Sequence, residues 1–220
     1  MRVIMKTLFD VAYLISVMLL GIIILRKSKT ADLRLFGILC LTLVGGDSFH
    51  LIPRILGLNS VVGLAGYTAA LGIGKLITSI TMTGFYVMLY YFIKQHFHAV
   101  PGKVCDAAVW CLSLVRIALC CFPQNAWTSA DAPVIWGVWR NIPFALLGLL
   151  IVVLLWRYAK QDKHFRWGWL AVTLSFSFYI PVVLWADVSP LVGLLMLPKT
   201  CCYVWMVVMG YRCMKDAQAA

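Results

Sequence analysis

The stretch TLFDVAYLISVMLLGIIIL, residues 7–25, is almost entirely apolar and ends directly at the basic pair Arg26-Lys27. The same alternation of a long apolar segment and a basic cluster recurs along the chain, which is 63% apolar and only 12% charged. A helix needs roughly 20 mostly apolar residues to cross the hydrocarbon core of a bilayer. The pattern therefore predicts a multi-pass helical membrane protein and excludes an ordinary water-soluble domain.

Seven segments have the required length and composition, so we expect one all-α, seven-helix transmembrane domain over residues 1–220. The segment 55–74 contains five glycines and is expected to be an outer loop, a re-entrant piece or part of span three. The connection 123–141 is expected to lie as a lid along the outer interface. The predicted spans are 7–25, 35–53, 71–93, 104–122, 142–157, 167–186 and 190–211.

Basic residues are concentrated in alternate connections between the spans. Cytoplasmic loops carry an excess of Lys and Arg, so this side is expected to be the cytoplasm. The N-terminus would then lie outside and the C-terminus inside, in a bacterial-type plasma membrane, although Arg2 and Lys6 oppose this orientation. The basic connections hold Arg26, Lys27, Lys29, Arg34, Lys94, Lys103, Arg157, Lys160, Lys163, Arg166, Arg212 and Lys215.

The formal net charge of +11 is mostly explained by these topological clusters. A nucleic-acid partner is not expected, because no loop is long enough to form a soluble basic domain. Membrane lipids are expected partners, since the cytoplasmic clusters would face anionic headgroups. Assembly into a homo-oligomer is compatible with the sequence.

The two halves of the chain resemble each other, which predicts an internal repeat. LLGIII at residues 19–24 matches LLGLLI at residues 146–151, and an Ile-Pro pair comes late in spans two and six, at Pro53 and Pro181. We expect a parallel 3+1+3 arrangement, with seven unrelated helices as the alternative. The halves would be 1–94 and 133–215, with 104–122 as the linker helix.

Span two carries its ionisable residues on a single helical face. Asp47, His50 and Arg54 are spaced i, i+3 and i+7, which places them above one another on a helix. A charged side chain at membrane depth costs about 2.5–3.5 kcal/mol on the insertion scale, so we expect this face to point into the bundle. The chain contains no Glu, which leaves Asp47 as the deepest carboxylate available there.

Further polar residues occupy the outer halves of other spans, and the cytoplasmic halves show no comparable set. We expect these residues to line one outward-facing cavity that is cationic on balance. Lys199 is expected near the midplane of span seven. The predicted ligand-binding residues are Asp47, His50, Lys75, Arg116, Arg140, Tyr179, Asp187 and Lys199.

Such a cavity favours a small transporter or binding protein for an anionic or polar solute. Lys199 and Arg116 would hold the negative group, and Asp47 with His50 would exchange a proton. An intramembrane lipid hydrolase with Asp47 and His50 as acid and base is one alternative, so enzymatic activity stays open. A photoreceptor that carries retinal on Lys199 is another. In a purely structural alternative, Asp47 pairs with Lys199 or Arg116 and only joins helices.

No metal and no cofactor are expected. Zinc needs three or four ligands that converge within about 2.3 Å of the ion. His96, His98 and His164 belong to cytoplasmic connections, whereas His50 lies at the opposite end of its span. The sequence also contains no phosphate-binding loop, nucleophile elbow or dinucleotide fingerprint.

Two resemblances concern transport and lipid chemistry. Seven spans with an outside N-terminus and a three-one-three repeat resemble the SWEET and PQ-loop transporters, which implies solute transport. Pro53-Arg54 and Pro181-Val182 stand where the Pro-Gln dipeptide of the PQ-loop proteins would be. Gly46-Asp47 followed by residues 51–53 resembles a short stretch of a lysoplasmalogenase family of membrane enzymes, which implies lipid hydrolysis.

A third resemblance concerns span seven. Lys199, with Tyr179, Pro181 and Trp185 in span six, is similar to the microbial rhodopsins, in which the corresponding lysine carries retinal. That family keeps its carboxylate counter-ion in span three, and span three of this chain has no carboxylate. The resemblance therefore implies a retinal site without its usual counter-ion.

Overall fold

A computed structural model describes residues 2–160, 162–185, 189 and 191–219, and it is 85% helical. No described residue is in a β-strand. The seven long helices are α1 (Arg2–Lys27), α2 (Ala31–Asn59), α3 (Thr68–His96), α4 (Lys103–Cys121), α5 (Val134–Tyr158), α6 (Gly168–Trp185) and α7 (Met196–Ala219). All seven are long and apolar enough to cross a membrane. The predicted helical class and number of spans are therefore confirmed.

Two predicted boundaries differ from the observed helices. The helix α2 continues through Pro53 to Asn59, so 55–74 contains the end of α2, a short 3₁₀ turn (Leu64–Tyr67) and the start of α3. Proline removes only one backbone hydrogen bond, which the rest of a long helix can tolerate. The helix α7 begins at Met196 instead of 190, with Pro198 in its first turn. Proline suits that position, because N–H groups of a first turn have no partner within the helix.

Each helix packs against the next one in the sequence, and α1 also packs against α7. The helix α3 additionally contacts α5, and α4 lies against both of them. The largest fully buried side chains are aromatic, and most belong to α3: Tyr86, Tyr90, Phe85 and Phe92, together with Phe36 of α2 and Phe165. This aromatic core fixes α3 at the centre of the fold.

The helices α2 and α3 approach each other closely at Gly46. A Cβ atom at this position would overlap the side chain of Thr81 on α3, whereas a Cβ atom at Gly45 would meet nothing within 4 Å. The hydroxyl of Thr78 donates a hydrogen bond of 2.9 Å to the carbonyl of Gly46. Small residues allow such close contacts between membrane helices. This contact sets the position of the residues that follow Gly46 on α2.

Candidate functional site

A cavity of about 1150 Å³ lies between the ends of six helices, at the end of the bundle opposite the basic connections. Of the residues predicted to bind a ligand, Asp47 is not in the cavity wall, and Asp187 falls outside the described residues. The other six line this cavity: His50, Lys75, Arg116, Arg140, Tyr179 and Lys199. The structure therefore brings together side chains from six different helices.

The described wall of the cavity is strongly cationic. It contains five Lys or Arg side chains, which are Arg54, Lys75, Arg116, Arg140 and Lys199. Its one described carboxylate belongs to Asp131, which is exposed. Among the described residues, none of these five cations has a carboxylate oxygen within 4.0 Å. An anion in this space would meet cations that form no ion pair within 4.0 Å in the described part of the chain.

Arg116 of α4 is the most deeply buried of these cations, with 2% of its surface exposed. Its guanidinium carbon lies 3.3 Å from the centroid of the Phe144 ring on α5. Its Nε and Nη1 atoms are buried and have no hydrogen-bond partner in the described part of the chain. An arginine stacked on an aromatic ring still needs acceptors for its five N–H groups, and an anion in the cavity could supply them.

Lys199 lies beside two tyrosine rings. Its Nζ atom is 4.6 Å from the ring centroid of Tyr179 and 5.6 Å from that of Tyr203. The hydroxyl of Tyr179 donates a hydrogen bond of 2.9 Å to Oδ1 of Asn141, which joins α6 to α5. Lys199 is the fourth residue of α7, which begins at Met196 directly after a 3₁₀ turn over Val192–Leu195. The ammonium group of Lys199 therefore lies beside aromatic rings at the cavity wall.

Arg140 connects α5 to the segment that precedes it. Its Nη1 atom donates a hydrogen bond of 2.8 Å to Oδ1 of Asn125, and its guanidinium carbon lies 4.4 Å from the centroid of the Trp127 ring. The carbonyl of Trp127 lies where a Cβ atom would be if Gly72 had a side chain. Residues 129–133 of the same segment also line the cavity. The predicted lid segment therefore forms part of the cavity wall.

Asp47 accepts a hydrogen bond of 2.6 Å from the hydroxyl of Tyr13 on α1. It has no ion pair within 4.0 Å among the described residues, so a direct pair with Lys199 or Arg116 is not formed. His50 instead places Nδ1 3.4 Å from the carbonyl of Leu71. Asp47 and His50 are therefore not joined as an acid–base pair, although they share a helical face.

The helix α1 contributes polar groups that are not among the site residues predicted from the sequence. Asp10 and Tyr13 are three residues apart and lie on one face of α1. Asp10 is 4% exposed, and its Oδ2 atom has no hydrogen-bond partner in the described part of the chain. The signal was present, since a carboxylate within an apolar span is expected to face the bundle.

A second polar cluster joins the ends of the helices on the side of the basic connections, and it was not predicted from the sequence. Nδ1 of His96 lies 2.5 Å from Oδ2 of Asp32, and its Nε2 lies 3.6 Å from Oδ2 of Asp162. Nε2 is also 4.0 Å from Sγ of Cys213, and the His96 ring stacks on Phe92. The cluster therefore connects α2, α3 and α7 to the α5–α6 connection.

The carboxylate of Asp162 also accepts backbone hydrogen bonds of 2.8 Å and 2.6 Å from His164 and Phe165. Burial acts to raise the pKa of Asp162, but the contact with His96 and these two backbone bonds outweigh it. Together they lower the pKa of Asp162 to about 2. The α5–α6 connection is thus held in place by an ionised carboxylate.

No protein-family profile, curated protein or solved structure matches this chain. The resemblances described above, and with them the hydrolase and the retinal alternatives, stay predictions from the sequence. The candidate function therefore rests on the cationic cavity, whose least compensated group is Arg116.

Proposed function

We propose that this protein is a transporter or binding protein for a small anionic solute, which binds in the cationic cavity. The observation that carries the proposal is the buried guanidinium of Arg116, two of whose nitrogens have no hydrogen-bond partner among the described residues. A buried charged group without a partner is energetically unfavourable. A bound carboxylate or phosphate would satisfy the planar fork of Arg116 with charge-assisted hydrogen bonds.

We propose that the protein lies in a bacterial-type plasma membrane with its N-terminus outside. This orientation is supported by the basic connections at the end of the bundle opposite the cavity. The cavity would then open outward. The parallel repeat is supported by the packing: the contacts of α1 with α2 and of α2 with α3 have counterparts in α5 with α6 and α6 with α7. The contact of α1 with α7 likewise has a counterpart in that of α5 with α3.

Asp47 and Tyr13 are our candidates for proton coupling. The hydrogen bond between them lies outside the cavity wall, so a proton could bind there without competing with the solute for the cations. Taking up a proton at Asp47 would offset part of the negative charge carried by the solute. In proteoliposomes, Asp47→Asn should retain anion binding but lose the dependence of uptake on a pH gradient.

The binding site can be tested by thermal unfolding of the protein in nanodiscs, with panels of carboxylate, phosphate and sulfate anions at matched ionic strength. At least one anion should raise the unfolding temperature over chloride. Arg116→Gln should weaken the binding of that anion about 10- to 100-fold, as expected for loss of hydrogen bonds to a charged group. Arg116→Lys should recover only part of the affinity, because lysine lacks the planar fork.

Arg166→Gln is the matched control, because it removes the same charge from an exposed position at the other end of the bundle. It should leave anion binding unchanged. If Arg116→Gln and Arg166→Gln weakened binding equally, general electrostatic attraction would explain the result and the proposed site would be rejected. Uptake of the binding anion into proteoliposomes then separates a transporter from a binding protein.

A further inference from the structure

A second, smaller space of about 160 Å³ lies between α5 and α6. Its wall is almost entirely apolar. It is formed by Val138, Ile142 and Ala145 from α5 and by Phe176, Ile180 and Leu184 from α6. We call this space the α5–α6 crevice. Ile142 and Ile180 are each 45% exposed, so the crevice lies at the outer surface of the bundle, where a bilayer would supply hydrocarbon.

The crevice and the cationic cavity share three wall residues, Asn141, Tyr179 and Val183. The polar members of this shared wall are the two partners of the hydrogen bond between α5 and α6. Tyr179 therefore lines both the crevice and the cavity, and Lys199 lies 4.6 Å from the centre of its ring. A cation and an apolar slot are separated by a single aromatic side chain.

We infer that the cavity and the α5–α6 crevice together bind one single-chain anionic amphiphile. Its charged head would lie in the cavity near Arg116 and Lys199, and its hydrocarbon chain would lie between α5 and α6. This inference rests on the proposed function and names its ligand class. The charge of the cavity wall selects an anionic head, and the apolar wall of the crevice selects a hydrocarbon chain.

Both helices that border the crevice carry an internal proline, Pro143 in α5 and Pro181 in α6. Each proline removes one backbone hydrogen bond from its helix. The hydrogen bond between Tyr179 and Asn141 spans the two helices at this level. The chain of the amphiphile would reach the shared wall at Tyr179, where it joins the head.

The test uses two series of water-soluble ligands, n-alkyl phosphates and n-alkyl carboxylates, from one carbon to eight. Binding to the protein in nanodiscs is measured by calorimetry, and empty nanodiscs correct for partitioning into lipid. In at least one series, affinity should rise about fourfold for each added methylene that enters the crevice. Arg116→Gln should weaken the binding of every member of that series.

Ala145→Trp fills the crevice and should abolish the gain with chain length, while the shortest ligand of the series keeps its affinity. That retained binding also shows that the variant is folded. Leu149→Trp is the matched control, because Leu149 lies one helical turn further along α5, is 60% exposed and is not in the crevice wall. It should keep the full gain.

If short anions bind and depend on Arg116 but affinity does not rise with chain length, the amphiphile inference is wrong and the proposed function stands. The same conclusion follows if Ala145→Trp keeps the gain. If neither series nor any short anion binds to the protein, the proposed function and the inference both fail.

Discussion

Tyr13 of α1 and Asp47 of α2 are joined by a hydrogen bond of 2.6 Å, formed from a hydroxyl to a carboxylate oxygen inside the membrane-spanning part of the bundle. Bonds of this kind are shorter and stronger than bonds between neutral groups. The pair also gives Asp47 a partner that is not a cation. Asp47 is therefore held in place while the cations of the cavity stay available.

The contribution of this bond can be measured by substituting Tyr13→Phe, which keeps the ring and removes the donor. We expect the free energy of unfolding to fall by about 1.5–3 kcal/mol, the usual contribution of a hydrogen bond to a charged group. The effect should shrink in an Asp47→Asn background, as a double-mutant cycle would show. Tyr211→Phe is the control, since the hydroxyl of Tyr211 bonds to no described residue. Equal losses for the two substitutions would contradict the assignment.

Substitution of Asp10 should stabilise the protein, in contrast to substitution of Tyr13. It is 4% exposed, and its Oδ2 atom has no hydrogen-bond partner in the part of the chain that the structure describes. Burial of an unpaired carboxylate is costly, so Asp10→Asn should raise the unfolding temperature. Asp131→Asn, at an exposed position, should leave it unchanged. A lower unfolding temperature for Asp10→Asn would mean that attraction to distant cations outweighs burial.

The polar cluster around His96 should stabilise the bundle. Both ring nitrogens of His96 face carboxylates, at 2.5 Å for Asp32 and 3.6 Å for Asp162. Asp32→Asn should lower the free energy of unfolding by about 1.5–3 kcal/mol, because it removes the shorter of these contacts. Asp216→Asn removes an exposed ion pair with Lys163 and a contact of 3.4 Å with His164 at the same end of the bundle, and it should have a smaller effect because Asp216 is exposed. Similar unfolding temperatures for the two variants would show that the cluster does not hold the helices together.

The low pKa of Asp162 predicts a loss of stability in acid. Its pKa is about 2 in the folded protein and about 3.9 in an unfolded chain. Its contribution is therefore complete above about pH 4 and is lost as the pH falls toward 2. Thermal unfolding of the wild-type protein and of Asp162→Asn should differ most near neutral pH and converge in acid. A difference that stays constant over this range would refute the role of the ionised carboxylate.

The fold class could be predicted from the sequence because a protein that crosses a bilayer must have an unusually apolar composition. Hydrocarbon requires long apolar helices, and cations within them must avoid lipid. That second rule is why residues as far apart in sequence as His50, Arg116 and Lys199 could be chosen in advance as one set. All three line the cavity. Their role in binding stays a prediction.

The partners of individual side chains could not be predicted, because they depend on how each helix is rotated and on which helices are neighbours. Tyr13 reaches Asp47 only because α1 packs on α2 with that face inward. His96 was assigned to a loop, yet it is the last residue of α3 and meets Asp32 from the start of α2. A single sequence contains no record of such contacts between distant segments.

The neighbouring glycines of α2 offer a test of helix rotation with an internal control. A methyl group at Gly46 would overlap Thr81 at its Oγ1 and Cβ atoms, and a β-branched side chain cannot swing its Cβ away without moving the backbone. Gly46→Ala should therefore separate α2 from α3 and lower the free energy of unfolding by about 1–3 kcal/mol. Gly45→Ala should be neutral or slightly stabilising, because its new methyl group meets nothing within 4 Å and alanine favours the helix.

Both variants are compared by thermal unfolding and by anion binding. Because His50 lies one helical turn after Gly46 and lines the cavity, Gly46→Ala should also weaken anion binding, whereas Gly45→Ala should not. Equal effects of the two substitutions would mean that α2 is rotated differently against α3, and the cavity wall would have to be redrawn.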